Sequence, residues 1–160
     1  MRLVCNASPL ILLAKIGRLG LLCQLYEEVV IPASVLREIR AKPGTEATQI
    51  GALIRSHRFR LGRATRQALK AVPADLGAGE REAIGLAVET GADLVVLDDQ
   101  QGRQVAREKG LSVTGTIGIL LEAWERSMIS SVRRELDRLI EAGMWIDEVF
   151  YHRILQECGE

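Results

Sequence analysis

Three short apolar runs, separated by segments with helical patterning, constrain the fold of this chain more than any other feature. The runs cover residues 3–5, 29–31 and 94–97. Each is almost free of polar residues, as expected for strands whose two faces are both covered by helices. Strands that alternate with helices form right-handed βαβ units and a parallel sheet. The sequence therefore predicts an α/β protein of three layers, α/β/α, with helices on both faces of a central parallel sheet.

The length fits one domain. With 160 residues, the chain can bury a single sizeable core. We predict one domain over residues 1–160, with its core over about residues 1–128 and a C-terminal helical extension over about residues 130–158. Ser8 and Pro9 predict a helix that has Ser8 as its N-cap and Pro9 at its first position. The stretch that leads to Pro73 is expected to be less ordered.

The composition is that of a globular protein and argues against several other classes. Hydrophobic residues make up 48% of the chain and charged residues 26%. The longest apolar stretches are too short to cross a bilayer, so we expect no membrane association. The three cysteines lack metal-site spacing, which favours free thiols in a reducing compartment. Since the start of the chain has no signal-peptide pattern, we expect a cytoplasmic protein.

The charges are unevenly distributed, although the net charge is zero. Residues 47–74 contain no acidic residue, and their basic residues are Arg55, Arg58, Arg60, Arg63, Arg66 and Lys70. A basic surface on an otherwise acidic molecule is typical of proteins that bind a polyanion. The five arginines are therefore candidate nucleic-acid-binding residues. An ordinary solvated face explains them equally well, because Phe59 is the segment's one aromatic residue for base stacking.

Acidic residues and one amide lie at or near the predicted strand ends. Asn6 follows the first apolar run, the doublet Asp98-Asp99 follows the third, and Glu38 and Glu80 lie on helices next to strands. Carboxylate and amide oxygens at the carboxyl edge of a parallel sheet suit Mg²⁺ or Mn²⁺, and ligands of open α/β sheets bind at that edge. Each acid alone is more often a surface charge. Together they predict a metal-dependent enzyme that acts on phosphate esters.

Several short motifs, in their order and spacing, resemble those of PIN domains. They are Asn6-Ala7-Ser8-Pro9-Leu10-Ile11, the stretch from Val30 to Glu38, Gly79-Glu80-Arg81-Glu82-Ala83-Ile84, and Asp98-Asp99 with Gly102-Arg103. A turn of sequence Gly115-Thr116-Ile117-Gly118 and the C-terminal extension resemble, more narrowly, a prokaryotic PIN-like branch. The resemblance covers nearly the whole chain.

The resemblance implies a three-layer α/β/α fold and Mg²⁺- or Mn²⁺-dependent cleavage of single-stranded RNA. It also implies a toxin of a toxin–antitoxin pair, with a small antitoxin protein as its partner. The metal-site acids carry over to Glu38, Glu80 and one of Asp98 or Asp99, and Ser8 matches a supporting hydroxyl. The first acidic position of the family is filled here by Asn6, whose amide oxygen can bind a cation but adds no charge.

Three other interpretations remain open. The same fold could serve as a catalytically attenuated module that binds RNA or a protein partner, which Asn6 favours. A phosphoacceptor receiver domain would need an early acidic pair and a lysine after a later strand, and neither is evident in the sequence. The sequence Gly77-Ala78-Gly79 suggests a dinucleotide loop, but the full glycine pattern and a preceding strand are absent.

The remaining candidates have a structural and a functional interpretation each. Arg103 could contact a phosphate or form an ion pair with Asp99, four residues before it. Thr116 could contact a phosphate or cap a helix. Trp124, Trp145, Phe150 and Tyr151 are predicted to be packing or interface residues. The leucine-rich residues 10–13 could form part of a dimer surface, and we expect a homodimer, although core burial explains them too.

Overall fold

A single sheet of five parallel strands organises the protein. The computed structural model describes residues 1–160. The strands are β1 (Arg2–Cys5), β2 (Glu28–Pro32), β3 (Arg60–Gly62), β4 (Leu94–Val96) and β5 (Val113–Thr114). The helices are α1 (Ala7–Lys15), α2 (Gly20–Leu25), α3 (Ala33–Arg40), α4 (Glu46–Arg55), α5 (Arg66–Lys70), α6 (Ala78–Thr90), α7 (Gln100–Glu108), α8 (Thr116–Glu125), α9 (Val132–Glu141) and α10 (Glu148–Glu157).

Alternate residues of the central strands face two separate cores. Leu3 and Cys5 of β1 lie in one core with residues of α1, α2, α3 and α8. Val4, between them, lies in the other core, which α6 and α7 cover. This alternation follows from the two-residue period of a strand, and it explains why the apolar runs contain almost no polar residue. The predicted α/β class and three-layer α/β/α arrangement are confirmed.

The order of the strands creates a crevice at the centre of the sheet. The order is β3-β2-β1-β4-β5, and every neighbouring pair is parallel. The chain therefore runs outward from β1 to β3, returns to β4 on the other side of β1, and continues to β5. The connections leave β1 and β4 in opposite directions, which is the topological switch point where open α/β sheets bind ligands.

The C-terminal helical extension packs on the first core. Leu136 and Leu139 of α9 and Ile154 and Leu155 of α10 are buried in that core. Leu10 and Leu13 of the leucine-rich segment are also fully buried, which agrees with the core interpretation of that segment. None of the helices combines the length and the apolar composition that a membrane span requires.

Two local predictions were wrong. Helix α1 begins at Ala7 with Asn6 as its N-cap, so Ser8 is not the cap and Pro9 is the third helical residue. Pro9 is tolerated there because N–H groups in the first turn have no intrahelical partner. The stretch before Pro73 contains helix α5, whose N-cap Thr65 accepts a hydrogen bond from the Ala68 N–H. Thr65 is itself held by Glu89 of α6, a contact between distant segments that local pattern does not reveal.

Candidate active site

The predicted site residues lie at the carboxyl edge of the sheet, around the switch point. Asn6 directly follows β1, and its backbone N–H donates to the carbonyl of Val96 at the end of β4 (3.1 Å). Asp98 and Asp99 follow β4 after one further residue. Because β1 and β4 are hydrogen-bonded neighbours, the amide and the acidic doublet are adjacent.

Two helices bring the remaining acids to the same place. Glu38 lies on the last turns of α3, and Glu80 lies in the first turn of α6. A cavity of about 360 Å³, which we call the acid pocket, collects these side chains; it is lined by Asn6, Ala7, Ser8, Glu38, Lys42, Gly77, Gly79, Glu80, Asp98 and Asp99. The fold thus assembles all five predicted ligand residues and Ser8 around one cavity.

Two oxygen atoms of the acid pocket are buried without a hydrogen-bond partner. They are Oδ1 of Asn6, a residue that is 7% exposed, and Oε2 of Glu80. A buried polar atom without a partner is costly, and it points to a strain reservoir or to a group that binds there. Here both atoms are hard oxygen donors, so the pocket has the chemistry of a divalent-cation site.

The electrostatics of Glu80 agree with a crowded cluster of like charges. Partial burial raises the pKa of Glu80 above its ordinary value, and the neighbouring Asp99 and Glu38 carboxylates raise it further. Burial and like charges both disfavour the ionised form of a carboxyl group. A cation in the pocket would reverse that preference.

The two members of the acidic doublet have different surroundings. Asp98 accepts two hydrogen bonds from Thr116, one from the backbone N–H (2.8 Å) and one from the hydroxyl (2.6 Å). Asp99 is the N-cap of α7 and accepts from the Gly102 N–H (3.0 Å). Thr116 is fully buried at the first position of α8, but the N-cap is Gly115 and no side chain caps this helix end, so the predicted capping role of Thr116 was wrong. Both carboxylates still line the acid pocket.

Arg103 does not form the predicted ion pair with Asp99. Its guanidinium Nη1 donates to the carbonyl of Leu97 (3.0 Å) instead. Burial is the main cause that lowers the pKa of Arg103, while the Asp98 carboxylate opposes the shift. The Arg103 side chain is therefore directed toward the end of β4, and Asp99 accepts from the N-terminus of α7.

Three glycines leave room for the acidic side chains. A β-carbon at Gly79 would lie 3.1 Å from Glu38 Oε2 and 3.3 Å from Asn6 Oδ1. A β-carbon at Gly115 would lie 2.7 Å from Asp98 Oδ1, and one at Gly102 would overlap Glu80 Oε2. None of the three has a positive φ angle. Space next to the acids, not backbone conformation, therefore favours glycine at these positions.

The basic segment does not line the acid pocket. All five predicted arginines are exposed, and none is among the pocket residues. Arg60 at the start of β3 forms an ion pair with Glu28 at the start of β2 (2.7 Å), so it lies at the amino edge of the sheet. Arg63 follows the carboxyl end of β3. Phe59, the predicted stacking residue, is only 1% exposed and cannot contact a base.

As placed, no three acidic, cysteine or histidine side chains lie close enough together to form a metal-binding group. The donor set nevertheless fits a divalent cation, because the pocket combines four carboxylates with the Asn6 amide, and Asn6 Oδ1 and Glu80 Oε2 are both buried without a partner. Glu38 is exposed, so its side chain has the freedom to rotate toward Glu80.

Glu82 is a buried carboxylate whose role the sequence did not indicate. It is 6% exposed on α6, where Oε1 accepts from the Ser34 N–H (2.7 Å) and Oε2 from the Ala64 N–H (3.2 Å). Helix α3 has no capping side chain of its own. Glu82 therefore caps α3 from α6 and fixes the two helices that carry Glu38 and Glu80. One sequence signal points to this role: Glu82 lies within the apolar stripe of α6, four residues before Leu86.

We expect Glu82→Ala to destabilise the protein by about 2–3 kcal/mol, since it leaves two shielded N–H groups without an acceptor. For a chain of this size, that is a fall in Tm of roughly 4–12 °C. Glu89→Ala is the matched control. Glu89 lies on the same helix as Glu82 and also accepts a hydrogen bond from a backbone N–H, that of Thr65, but it is exposed. Thermal unfolding of both variants measures the difference; equal losses would contradict a capping role specific to Glu82.

Comparison with known proteins agrees with the fold and the motifs. A family model described as PIN domain matches residues 2–160. No curated protein matches the chain. Among solved structures, the chain is similar to a PilT N-terminus domain protein from the hyperthermophilic archaeon Sulfolobus solfataricus, with 21% identity, a TM-score of 0.46, and coverage of 78% of this chain and 95% of that one. Because the family model spans nearly the whole sequence, the chain belongs to the PIN domain family.

Proposed function

We propose that the protein is a metal-dependent endoribonuclease that cleaves single-stranded RNA with Mg²⁺ or Mn²⁺. PIN domains generally use divalent metal ions. The observation that supports the proposal most is the pair of unpartnered buried oxygens, Asn6 Oδ1 and Glu80 Oε2, in a pocket of carboxylates at the switch point. A cation that bound these oxygens would polarise a phosphate and lower the pKa of an attacking water.

In this proposal the polar residues of the pocket have three tasks: they bind the cation, hold the start of α7 and contact the substrate phosphate. Glu80, Glu38 and Asn6 supply oxygen ligands, and Asp98 supplies another whose direction is fixed by its two bonds from Thr116. Asp99 keeps the start of α7 in place through the Gly102 N–H while it faces Glu80. Lys42 lines the mouth of the pocket, where its ammonium group can meet the substrate phosphate.

Cleavage of a labelled single-stranded RNA, with Mn²⁺ and after chelation, tests the proposal. We expect cleavage that needs the cation and that falls in Asp98→Asn more than in Asp99→Asn. Glu108→Gln is the control, because Glu108 is an exposed acid at the far end of α7. RNA binding without any turnover would favour the alternative function, a catalytically attenuated module.

We also propose that the chain is the toxin of a toxin–antitoxin pair and works in the cytoplasm as a homodimer. The support is the resemblance to the prokaryotic PIN-like branch and three exposed apolar side chains on the C-terminal helices, Ile140, Val149 and Phe150, which suit a docked chain. Growth arrest by the wild-type protein, but not by Glu80→Gln, would support the toxin role. Light scattering measures the oligomeric state.

Asn6→Asp tests the idea that an amide replaces the family's first acid. The new carboxylate should tighten Mn²⁺ binding and raise cleavage, since it adds charge where the cation would lie. Without metal it should lower the Tm, because it joins a cluster of like charges. Thermal unfolding with and without Mn²⁺ measures both effects. If the two proteins bind Mn²⁺ equally and neither cleaves, Asn6 does not limit the site.

A further inference from the structure

A second cleft opens directly beside the acid pocket. It has a volume of about 390 Å³ and is lined by Ile11 and Leu12 of α1, by residues 142–145 between α9 and α10, and by Ser8, Lys42 and Asp98. Ser8, Lys42 and Asp98 also line the acid pocket. The two cavities are therefore adjacent, and the volume of the cleft falls within the range of about 300–1,000 Å³ that is usual for small-molecule sites.

Trp145 gives this cleft an aromatic surface. It is 82% exposed, the most exposed of the chain's large hydrophobic side chains. Of the predicted packing or interface role, the packing role is therefore wrong, and the interface role stays a prediction. No other aromatic residue lines either cavity. An exposed indole costs solvation and contributes nothing to a core, whereas it is well suited to stack on a flat ring.

The segment that presents Trp145 is held in place. Gly143 has a φ of 106°, which favours glycine, and its N–H donates to the Ile140 carbonyl. The Met144 N–H donates to the Leu139 carbonyl (3.0 Å), and the Met144 side chain packs on the first core. The backbone that carries Trp145 is therefore fixed, which reduces the backbone entropy lost when a ligand stacks on the indole.

We propose that this cleft is a base seat, in which one unpaired base of the RNA strand stacks on Trp145 while the adjoining phosphate reaches Lys42 and the acid pocket. This inference rests on the proposed function. The apolar walls and the indole match a base. Lys42, the one positively charged side chain that lines both cavities, matches the phosphate next to that base. A docked protein would instead cover the neighbouring Val149 and Phe150, which are 66% and 44% exposed.

The test is the affinity of a short single-stranded RNA, measured in EDTA so that the strand stays intact. Trp145→Ala should weaken binding about 5- to 150-fold, the range that corresponds to about 1–3 kcal/mol of base stacking. Trp145→Phe should retain most of the affinity, because it keeps an aromatic ring. Phe150→Ala is the control and should bind like the wild type. In Trp124→Phe, Trp145 is the one remaining tryptophan, and its fluorescence should be quenched by the RNA.

Abasic substitutions identify what Trp145 contacts. Replacing the base at one position of the strand should weaken binding to the wild type and to Trp145→Phe, but should cost Trp145→Ala nothing further. Equal sensitivity of wild type and Trp145→Ala to every abasic position would overturn the base seat, as would the absence of RNA binding. An equal loss in Phe150→Ala with no abasic dependence would also overturn it and favour a protein-docking surface.

The parallel cleavage assay with Mn²⁺ separates this inference from the proposed function. If Trp145 and one base are coupled but the protein does not cleave RNA, the base seat is supported and the proposed nuclease activity is contradicted. Cleavage that is unaffected by Trp145→Ala, with no such coupling, would remove the base seat alone.

Discussion

Glu80→Gln is expected to abolish metal-dependent cleavage and, at the same time, to make the metal-free protein more stable at neutral pH. Loss of residues that merely support a metal ligand costs about 10–100-fold in affinity or activity, so loss of a direct ligand should cost at least about 100-fold. Stability should rise because glutamine removes a partly buried charge that faces Asp99 and Glu38. An RNA cleavage assay and thermal unfolding measure the two effects.

The stability gain should depend on pH in a defined direction. The pKa of Glu80 is raised in the folded state, so the folded protein holds this proton more tightly than the unfolded chain does. Glu80 therefore contributes stability below the ordinary glutamate pKa, of about 4.3, and that contribution is lost as the pH rises through the higher folded value. Wild type and Glu80→Gln should be equally stable at the acid end and diverge toward pH 7.

Stabilisation by Mn²⁺ is the internal control for the comparison of the wild type with Glu80→Gln. A cation that binds only the folded state at 100 times its Kd stabilises a protein by about 2.7 kcal/mol. The wild type should gain that stability at pH 7, whereas Glu80→Gln should gain much less. If Mn²⁺ stabilises both proteins equally, Glu80 is not a ligand.

Arg18→Met is expected to produce the largest loss of stability among single substitutions outside the apolar core. Glu135 is 1% exposed on α9, and Arg18 donates to its Oε1 through Nε (3.1 Å) and Nη2 (2.5 Å). Removing one partner of a buried ion pair costs about 3–5 kcal/mol. Because Arg138 still lies 3.6 Å from Glu135, we expect a loss of about 3 kcal/mol, or roughly 6–12 °C in Tm.

Two further variants make this prediction specific. Arg126→Met removes the exposed ion pair with Glu122 and should cost at most about 1 kcal/mol. The double variant Arg18→Met/Glu135→Met should recover most of the lost stability, because an apolar pair of similar volume can replace a buried ion pair. If Arg18→Met loses no more stability than Arg126→Met, then removing Arg18 does not leave Glu135 as an unpaired buried charge.

The layers of the fold could be predicted from the sequence because they rest on local pattern. The apolar runs at residues 3–5 and 29–31 lie within β1 and β2, since a strand covered on both faces must be apolar at every position. Gly91 ends α6 in the left-handed conformation, which favours glycine over other residues. Helix α5 was missed because its N-cap depends on Glu89, a contact between segments far apart in the chain.

The residues of the candidate site also fall into two groups, those that could be named from the sequence and those that depend on contacts between distant segments. Asn6 and the acidic doublet could be named because they follow strands, and parallel strands place their carboxyl ends at one edge. Glu38 and Glu80 lie on helices and were named through the resemblance to PIN domains. The direction of Arg103 and the capping role of Glu82 could not be predicted, since both depend on which backbone group happens to lie nearby. The position of Trp145 beside the pocket required the packing of α9 on the first core.

The glycines beside the acids make the pocket vulnerable in a way that a survey of its acids would miss. At Gly79, Gly102 and Gly115 a single methyl group would reach a carboxylate or amide oxygen, while the backbone itself would accept alanine. Gly79 and Gly102 lie in the first turns of α6 and α7, where the helical backbone conformation is open to alanine. A single alanine at one of these positions could therefore displace a pocket oxygen while every acid is retained. If the acid pocket binds a metal, the three glycines are then as much a part of that site as the acids that they accommodate.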